Sequence, residues 1–546
     1  MISSKILWTT LPERVREVLM VSLHRNGEFY DILPGILDDI VQEWKGVSLQ
    51  DKRDLLYGLA ITSWEDAPWD MGVCSLIIQC EKNDIKVPKN ILLSAKQNIN
   101  SADINIKFKK EIENTLHNKD NDIKKKLYDM RDKNPGSLTL LEYSLMVSLS
   151  TGEIDWFRDF YASLKLTPLL RQIVDALIQF YLGEWDLAAK SYKQMLTSYS
   201  SPGLLYRLGE CLYRSGDSDA ISIFRSAYQK APWDSGLILR LADMYEGLDR
   251  PGDYPQGKGV ILVYSWNHAK YLKETLNYLH ASDLGTAKIL VLNNGSNDDT
   301  SSILTNMSSL FRDRLRCISL PTNIGAPAAR NWLLQEPEAI DADWVVYLDD
   351  DALVPKDWLK HIGAVLNVYP NASIVGCQVN SAYEKLFVQS ADLHFKSDIL
   401  NGMSLQTPFL DTFFSNIIDF GYFKYIRPCL SVTGCCHWLR REDISKIGGF
   451  DIIFSPSQFD DLERDLRAYS NNQQIIYNGH ICIKHKKLSG SSLNQRQTSS
   501  IKGNLVKLCN IINTEKVQSM RKNDFTAVFN HLLNKIIKLD ILSKDQ

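Results

Sequence analysis

The chain has 546 residues, of which 44% are hydrophobic and 23% charged. This composition excludes a chain that is disordered throughout. The length predicts about three or four domains at roughly 150 residues each. Lysine and arginine number 62 against 65 aspartate and glutamate residues, so the formal charge is −3. This balance argues against a nucleic-acid coat protein, because neutralising phosphate requires an excess of basic side chains.

The beginning of the chain and its cysteines predict a cytoplasmic protein. Glu13, Arg14 and Arg16 interrupt the apolar core that a signal peptide would need. Nowhere do about 18 apolar residues follow one another, as a membrane-spanning helix requires. The ten cysteines include no Cys-x-x-Cys pair, and the closest are the neighbours Cys435 and Cys436. We therefore expect reduced thiols rather than a disulfide framework or a zinc site.

The first half of the chain has a helical pattern. Up to about residue 250, apolar residues recur at helical spacing. We divide this half into a helical region at 1–130 and helical repeats at 131–250. The lysine-rich stretch 107–126 lies between two helical zones and indicates an exposed helix or a linker.

Two segments of the second region echo each other. Gly183 and Gly216 are 33 positions apart, and an Ala-x-x-x-aromatic pattern follows each of them, beginning at Ala188 and Ala220. Pro232 then follows the second unit. The pattern resembles a tetratricopeptide array of about 70 residues, in which a small residue lets paired helices pack closely and proline ends the second helix. Such a stack is a surface for docking or self-association, or merely a spacer.

After a linker rich in proline and glycine at 249–257, strands alternate with helices. The predicted strands lie at 260–264, 288–292, 317–320 and 344–348, and a helix is predicted at 271–280. This alternation predicts a mostly parallel sheet whose ligands bind beyond the carboxyl ends of its strands. Polar clusters follow these strands directly, so they are candidate site residues.

Three adjacent carboxylates, Asp349, Asp350 and Asp351, end the predicted strand at 344–348. Such side chains repel one another unless a cation lies among them, and oxygen ligands suit Mg²⁺ or Mn²⁺, which commonly bridge to phosphates. The alternative is an acidic turn that caps the next helix.

A second acidic cluster, Asp460, Asp461 and Glu463, begins a predicted helix. Negative charge is favourable at a helix N-terminus for electrostatic reasons alone. A carboxylate there could instead take a proton from an incoming hydroxyl group if it faced a metal–phosphate site.

A third cluster follows a predicted strand at 474–477. It contains His485 with Lys486 and Lys487. A single histidine is more often structural than a ligand, but His485 could complete a metal site, and a lysine could face phosphate.

Taken in chain order, these pieces resemble the large inverting glycosyltransferase family with the GT-A fold, called family 2. The resemblance runs over 257–490, and its matching stretches are Ser265-Trp266-Asn267, the nucleotide loop 291–300, Asn323-x-Gly325 with Ala328, Arg330 and Asn331, Asp349–Asp351, Pro355 to Leu359, Thr433-Gly434, Arg440-Arg441, Gly448 to Asp451, and Asp460-Asp461. Two departures are Asn293, where aspartate is common, and Tyr264, where proline is frequent.

The resemblance implies an α/β GT-A catalytic domain at 257–490, with a Rossmann-like, mixed and mostly parallel sheet, behind an all-α N-terminal domain. It implies a sugar transfer from a nucleotide-diphosphate donor with inversion, assisted by Mn²⁺ or Mg²⁺. Asp461 would be the general base, with Asp460 beside it in the catalytic pair. The implied metal ligands are Asp351, Asp349 and His485. The implied nucleotide-sugar contacts are Ser265, Asn267, Asn294, Arg330, Asp349, Asp350 and Gly434.

The acceptor stays open between a glycan and a protein, and the helical repeats could serve a protein partner or self-association. We do not expect a nucleic-acid partner. The alternative function is a nucleotide-sugar-binding adaptor with weak catalysis that acts through its repeats. A pyrophosphorylase is less favoured, because its glycine-rich phosphate loop is absent.

A helical tail is predicted at 491–546, with an apolar stripe of Phe529, Leu532, Leu533, Ile536 and Ile537. We expect this stripe to pack on the catalytic domain. The alternative is peripheral contact with the inner face of a membrane, which basic residues beside the stripe would favour.

Overall fold

The computed structural model describes residues 3–21, 29–100, 106–112, 122–382, 387–395, 409–411, 419–486, 495–512 and 514–542. The chain divides into two compact units. The first comprises Met1–Leu241, Tyr383–Leu386 and Asn416–Tyr422, and the second comprises Ala242–Ala382, Phe387–Ser415 and Phe423–Gln546. Within the described ranges, every helix is too short or too polar to cross a bilayer.

The first unit is helical, as the sequence predicts. Its helices, the last of which continues into the second unit, are Ser4–Thr10, Glu13–Met20, Phe29–Gln42, Leu49–Asp66, Met71–Lys82, Lys89–Asn100, Ile123–Lys133, Leu138–Thr151, Ile154–Ala162, Pro168–Leu182, Trp185–Leu196, Pro202–Ser215, Ala220–Lys230 and Ser235–Glu246. The helix starts follow from local chemistry: the side chains of Thr167 and Ser201 accept hydrogen bonds from backbone N–H groups of the first turn, and a proline occupies the next position.

In the repeat-like region, consecutive helices from Pro168 to Lys230 pack on one another. Gly183 and Gly216 each end a helix with a left-handed backbone, at φ +82° and φ +76°, which glycine adopts without steric cost. The close approach of two helices depends instead on Gly209, where an added Cβ would lie 3.0 Å from the ring of Phe224. The echoed glycines therefore mark turns, and a different small residue provides the close packing.

The second unit is built on a mixed sheet. Among the described residues this sheet has ten strands, which are β1 (Gly259–Ser265), β2 (Lys288–Asn294), β3 (Leu315–Leu320), β4 (Trp344–Leu348), β5 (Ala352–Leu353), β6 (Ala372–Ser381), β7 (Val388–Ser390), β10 (Ile426–Pro428), β11 (Cys436–Arg440) and β12 (Gln474–His485). A separate pair is formed by β8 (Leu393–Phe395) and β9 (Phe409–Asp411). The order of strands in the large sheet is β10-β12-β6-β11-β4-β1-β2-β3, with β5 beside β12 and β7 beside β6.

Four of the five predicted strands are β1 to β4, the fifth, at 474–477, is the beginning of β12, and all five are confirmed. The strands β1 to β4 lie next to one another in the sheet. They run parallel, with Val260 opposite both Lys288 and Val345. Strand β11 enters antiparallel between β4 and β6. The helices of the unit after β1 are Ala269–Ala281, Thr300–Phe311, Ala326–Leu334, Pro337–Ile340, Trp358–Val368, Arg441–Ile447, Asp460–Ser470, Gln495–Ile511 and Thr514–Leu542. The parallel register brings the carboxyl ends of β1, β2 and β4 to one edge.

The two C-terminal helices pack within the second unit. Leu508, Ile512 and Met520 share an apolar cluster with Phe454 and Leu462, so the tail packs on the region 257–490, as predicted.

The predicted stripe is confirmed only in part: Leu532 and Ile536 are buried. Phe529 and Leu533 are half-buried, and Ile537 is 40% exposed. The buried residues of this helix include Phe525, Val528, Leu532, Lys535, Ile536 and Leu539. Lys535 is buried because it pairs with Asp243 and Glu246, so its ammonium group belongs to the interior of the unit.

A buried ionic network fastens the last helix to β8. His394 is fully buried, with Nδ1 3.0 Å from a carboxylate oxygen of Asp524 and Nε2 2.7 Å from one of Asp392. Burial alone would lower the pKa of His394, but the two carboxylates outweigh it and raise the pKa to about 9. Arg427 also pairs with Asp392. The imidazole is therefore held as a cation between two anions.

Candidate active site

The acidic turn after β4 and the end of β12 meet at the carboxyl edge of the sheet. Strand β5 follows the acidic turn and pairs with β12, so that Ala352 lies opposite His485. His485 Nε2 is 3.0 Å from an oxygen of Asp351 and 3.8 Å from one of Asp349. The donor atoms of these three side chains lie within 4.8 Å of one another. Thus the structure brings together the three predicted metal ligands, although Asp351 and His485 are 134 positions apart in the chain.

The electrostatics of this cluster fit a divalent cation. Burial raises the pKa of Asp349 to about 6; Arg330 and His485 oppose the rise, and the neighbouring carboxylates of Asp351 and Asp350 add to it. Two carboxylates and an imidazole form an oxygen and nitrogen donor set that suits Mn²⁺ or Mg²⁺. His485 Nδ1 lies 2.9 Å from Oε1 of Gln389, which orients the ring so that Nε2 faces the two carboxylates.

The middle carboxylate of the acidic turn points elsewhere. Asp350 is buried and accepts a hydrogen bond of 2.5 Å from the hydroxyl of Ser265. Its other oxygen lies 3.3 Å from Nδ1 of His268, and its carbonyl accepts a hydrogen bond from the hydroxyl of Thr275. Asp350 and Ser265 were both predicted to contact the nucleotide sugar. In the structure they are hydrogen-bonded to each other, and this bond joins the end of β1 to the acidic turn.

Asn267 and Asn294, two further residues predicted to contact the nucleotide sugar, shape the loops that follow β1 and β2. The backbone N–H of Asn297 donates a 2.8 Å hydrogen bond to the side-chain oxygen of Asn267. Asn294 Oδ1 accepts one of 3.0 Å from the N–H of Ile324, which joins this loop to the one after β3. Between them, Gly295 has φ +71°, and an added Cβ would lie 2.3 Å from the carbonyl carbon of Thr322. Only glycine fits there.

Asn293, the departure from the resemblance, is buried in the same loop. Its Oδ1 accepts a hydrogen bond from the N–H of Ser296, and its Nδ2 donates one to the hydroxyl of Ser301, both at 3.0 Å. An aspartate could make the first bond but could not donate the second. The asparagine therefore suits its surroundings.

Arg330 links the acidic turn with the second acidic cluster. It is buried, donates a 2.6 Å hydrogen bond to Asp460, and lies 3.6 Å from an oxygen of Asp349. The guanidinium carbon is 5.5 Å from the ring centre of Tyr264 and 5.1 Å from that of Phe450. Tyr264, the second departure from the resemblance, thus supplies an aromatic face to this cation.

The second acidic cluster begins the helix Asp460–Ser470. Asp460 is buried, and burial raises its pKa, with Arg330 opposing the rise and Asp461 adding to it. Asp461 is half-buried, and one of its oxygens accepts a 2.8 Å hydrogen bond from the N–H of Gly434. Gly434, predicted as a nucleotide-sugar contact, lies directly against Asp461.

Sequence reasoning missed two neighbours of the site, His268 and Gln389. His268 directly follows Asn267, a predicted nucleotide-sugar contact, so its position in the sequence could have indicated that it lies near the site. Gln389 lies in the short strand β7, and its sequence surroundings carry no such signal.

Comparisons with known proteins find one family. Residues 260–448 match the model described as glycosyl transferase family 2, whereas no curated protein matches the chain. Among solved structures, GalNAc-T7 with UDP, GalNAc and Mn²⁺ is 12% identical with a TM-score of 0.38, over 50% of this chain and 54% of that chain. TarS of S. aureus is 19% identical with a TM-score of 0.28, over 41% and 36% respectively.

The mannosyltransferase PcManGT of Pyrobaculum calidifontis, in complex with GDP-Man and Mn²⁺, is 16% identical with a TM-score of 0.35, over 58% of this chain and 85% of that chain. The chain spans about half the length of the GalNAc-T7 structure and about a third of TarS.

The matched segment begins in β1 and ends just before the second acidic cluster. It contains the parallel strands β1 to β4, the acidic turn and Arg330. The order of these elements and the mixed, mostly parallel sheet agree with the GT-A fold expected from the sequence. Residues 260–448, about a third of the chain, are therefore similar to glycosyl transferase family 2.

Proposed function

We propose that the chain transfers a glycosyl group from a nucleotide-diphosphate sugar to a hydroxyl group of a glycan or protein acceptor, in one displacement with inversion. The observation that supports this most strongly is the arrangement around Arg330. The cation-ligand cluster of Asp349, Asp351 and His485 lies on one side, and Asp460 with Asp461 on the other. A donor diphosphate and an acceptor hydroxyl group would need these two groupings next to each other.

The proposed cation site is formed by Asp351, Asp349 and His485. Mn²⁺ or Mg²⁺ held there would offset the negative charge that develops on the departing diphosphate. Arg330, a buried cation beside Asp349, adds fixed positive charge to the same region.

Asp461 is the proposed general base. The N–H of Gly434 donates to one carboxylate oxygen of Asp461, and the N–H of Leu462 donates to the other. These two bonds fix the plane of the carboxylate, and its partial exposure leaves room for an acceptor hydroxyl group. Asp460 would hold Arg330 in place and complete the catalytic pair.

Donor recognition is assigned to the loops after β1 and β2. Asn267 and Asn294 hold the shape of these loops through their own side-chain bonds. Ser265 and Asp350 connect the loops to the acidic turn. We propose that the backbone they hold in place accepts the nucleoside, while Asp349 and Arg330 lie nearest the diphosphate.

The remaining assignments concern partners and location. We propose that the helical unit binds the acceptor or a protein partner, or mediates self-association. The cytoplasmic location and any peripheral contact with a membrane stay predictions, because they rest on sequence alone.

The test is a donor panel. The purified full chain is incubated with UDP- and GDP-linked sugars and Mn²⁺, with water as the acceptor of the glycosyl group, and the nucleoside diphosphate released by this slow hydrolysis is measured. We expect release from one class of donor, and its loss on addition of EDTA. Binding of UDP or GDP in the presence of Mn²⁺ without any release would favour the adaptor function. The absence of both binding and release would contradict the proposal.

A further inference from the structure

The segment just before Asp460 has an unusual backbone. Gln458 has φ +80° and Phe459 φ +70°, although neither is glycine. Side chains with a Cβ rarely adopt this left-handed region, and two in succession need support from their surroundings. Phe459 is the residue before the helix Asp460–Ser470, so the position of both acidic residues depends on how this turn is held.

A single side chain from the C-terminal part of the chain holds the turn. Asn504, on the helix Gln495–Ile511, is 2% exposed. Its Nδ2 lies 2.7 Å from the carbonyl of Phe454, 2.9 Å from that of Ser457 and 3.3 Å from that of Gln458. One amide group thus donates to carbonyls at both ends of the turn.

Lys507 fixes the orientation of that amide. Its ammonium group donates a 2.9 Å hydrogen bond to Oδ1 of Asn504 and one of 2.7 Å to the carbonyl of Ile453. Because the ammonium group can only donate, Oδ1 of Asn504 must face Lys507. The N–H₂ end must then face the turn.

The opposite side of the turn contacts the helix that carries Arg330. The carbonyl of Pro456 accepts a 2.8 Å hydrogen bond from the N–H of Ala326, the first residue of that helix. Arg330 in turn pairs with Asp460. The turn is therefore held between this helix and the helix of Asn504, and it is connected to the acidic pair at its end.

We propose that Asn504, oriented by Lys507, is a positioning residue for Asp461. This inference rests on the proposed function, in which Asp461 is the general base. It extends the site beyond residues 260–448, the segment that matches the family. The helix Gln495–Ile511 then determines where the carboxylate of Asp461 lies, while the cation ligands are held by β4, β5 and β12.

The kinetic test compares Asn504→Ala and Asn504→Asp with the wild-type chain. The matched control is Asn510→Ala, because Asn510 is an exposed amide on the same helix. The substrate is the UDP- or GDP-sugar identified in the donor panel, and nucleoside diphosphate release is measured with Mn²⁺. Since misplacing a reacting group by about 1 Å can cost about 100-fold in rate, we expect kcat to fall by about 30- to 100-fold. The donor KM and the affinity for the nucleoside diphosphate should stay within about two-fold.

A kcat of Asn504→Ala within about two-fold of wild type would overturn the inference. An equal loss of nucleoside diphosphate affinity would also overturn it, because that would indicate general damage. If Asn504→Ala fails to fold, Lys507→Met is tested in its place. Its kcat should fall by about 3- to 10-fold, while the donor KM and the affinity for the nucleoside diphosphate stay within about two-fold. A normal kcat in Lys507→Met would then count against the inference.

A second measurement does not depend on activity. Hydrogen exchange of the backbone amides at 454–462 should be faster in Asn504→Ala than in wild type and Asn510→Ala. Unchanged exchange would overturn the inference. If the wild-type chain releases no nucleoside diphosphate, the proposed function fails, whereas the exchange result still decides whether Asn504 holds the turn.

Discussion

The substitution Gly434→Ala tests the proposed position of the general base with one added methyl group. The new carbon would lie 2.5 Å from a carboxylate oxygen of Asp461, 3.0 Å from its Cβ and 3.1 Å from Nη2 of Arg330. An ordinary contact begins near 3.4 Å, so the oxygen must move by about 0.9 Å. Gly434 has no left-handed backbone that alanine would strain. The perturbation is therefore confined to the carboxylate and the guanidinium group beside it.

The expected loss follows from this displacement. A shift of about 1 Å in a reacting group costs about 100-fold in rate, which corresponds to about 2.7 kcal/mol of activation free energy. The three atoms nearest to the methyl group belong to Asp461 and Arg330, not to Asp351 or His485. We therefore expect kcat for nucleoside diphosphate release to fall by about two orders of magnitude. The Mn²⁺-dependent affinity for the nucleoside diphosphate, measured by calorimetry, should fall far less, because Nη2 of Arg330 needs to move by only about 0.3 Å.

The control is Gly503→Ala. An added Cβ at Gly503 meets no atom within 4 Å, and the residue lies within the helix Gln495–Ile511. Alanine is the better helix former by about 1 kcal/mol, so this variant should keep full activity and gain stability. If Gly434→Ala also kept its full kcat, or lost nucleotide affinity and kcat in equal measure, the assignment of Asp461 would be refuted.

Two further predictions concern the cation site and the buried ionic network. Asp351→Ala should abolish Mn²⁺-dependent binding of the nucleoside diphosphate in calorimetry, because a ligand of the cation is lost; tight binding that EDTA does not affect would contradict this. The second prediction concerns His394, whose pKa is raised from 6.5 to about 9 on folding. The protonated imidazole therefore stabilises the folded chain fully below pH 6.5, and this stabilisation is lost as the pH rises through 9. The free energy of unfolding should fall by about 3 kcal/mol over that range. Urea unfolding at pH 6.5 and pH 9 should show this decrease in wild type and a smaller one in His394→Gln; equal decreases would contradict the assignment.

The parallel strands β1, β2 and β4 could be predicted because they are buried on both faces. A strand of that kind, such as β1 or β4, is an unbroken apolar run that ends in polar residues, and the acidic turn follows β4 in sequence. The ends of two helices in the repeat-like region could also be predicted, because Gly183 and Gly216 directly follow them in the sequence. These features are local, so the chain itself displays them.

Contacts between distant segments could not be predicted in this way. Residue spacing alone does not show that β5 pairs with β12, and this pairing is what brings His485 to Asp351. Nor does it indicate that Asn504 reaches back to Phe454. Both contacts depend on the order of strands and on the docking of a helix, which only the assembled fold determines.

The predicted stripe of the last helix is confirmed at Leu532 and Ile536, which are buried, and wrong at Ile537, for a physical reason. Counting apolar residues favoured Phe529 and Ile537 as the inner face. In the structure, the inner face includes Lys535, because Asp243 and Glu246 compensate its charge. A buried lysine paired with carboxylates is invisible to a pattern that treats every charge as exposed.

The most direct test of the account compares Asp461→Asn with wild type. Both proteins are given the donor identified in the panel, with Mn²⁺, and nucleoside diphosphate release is followed together with binding of the nucleoside diphosphate. A general base contributes about 100- to 10,000-fold in rate. We predict that Asp461→Asn loses release by about that factor while its Mn²⁺-dependent binding stays intact. Release at a rate near that of wild type would contradict the central claim.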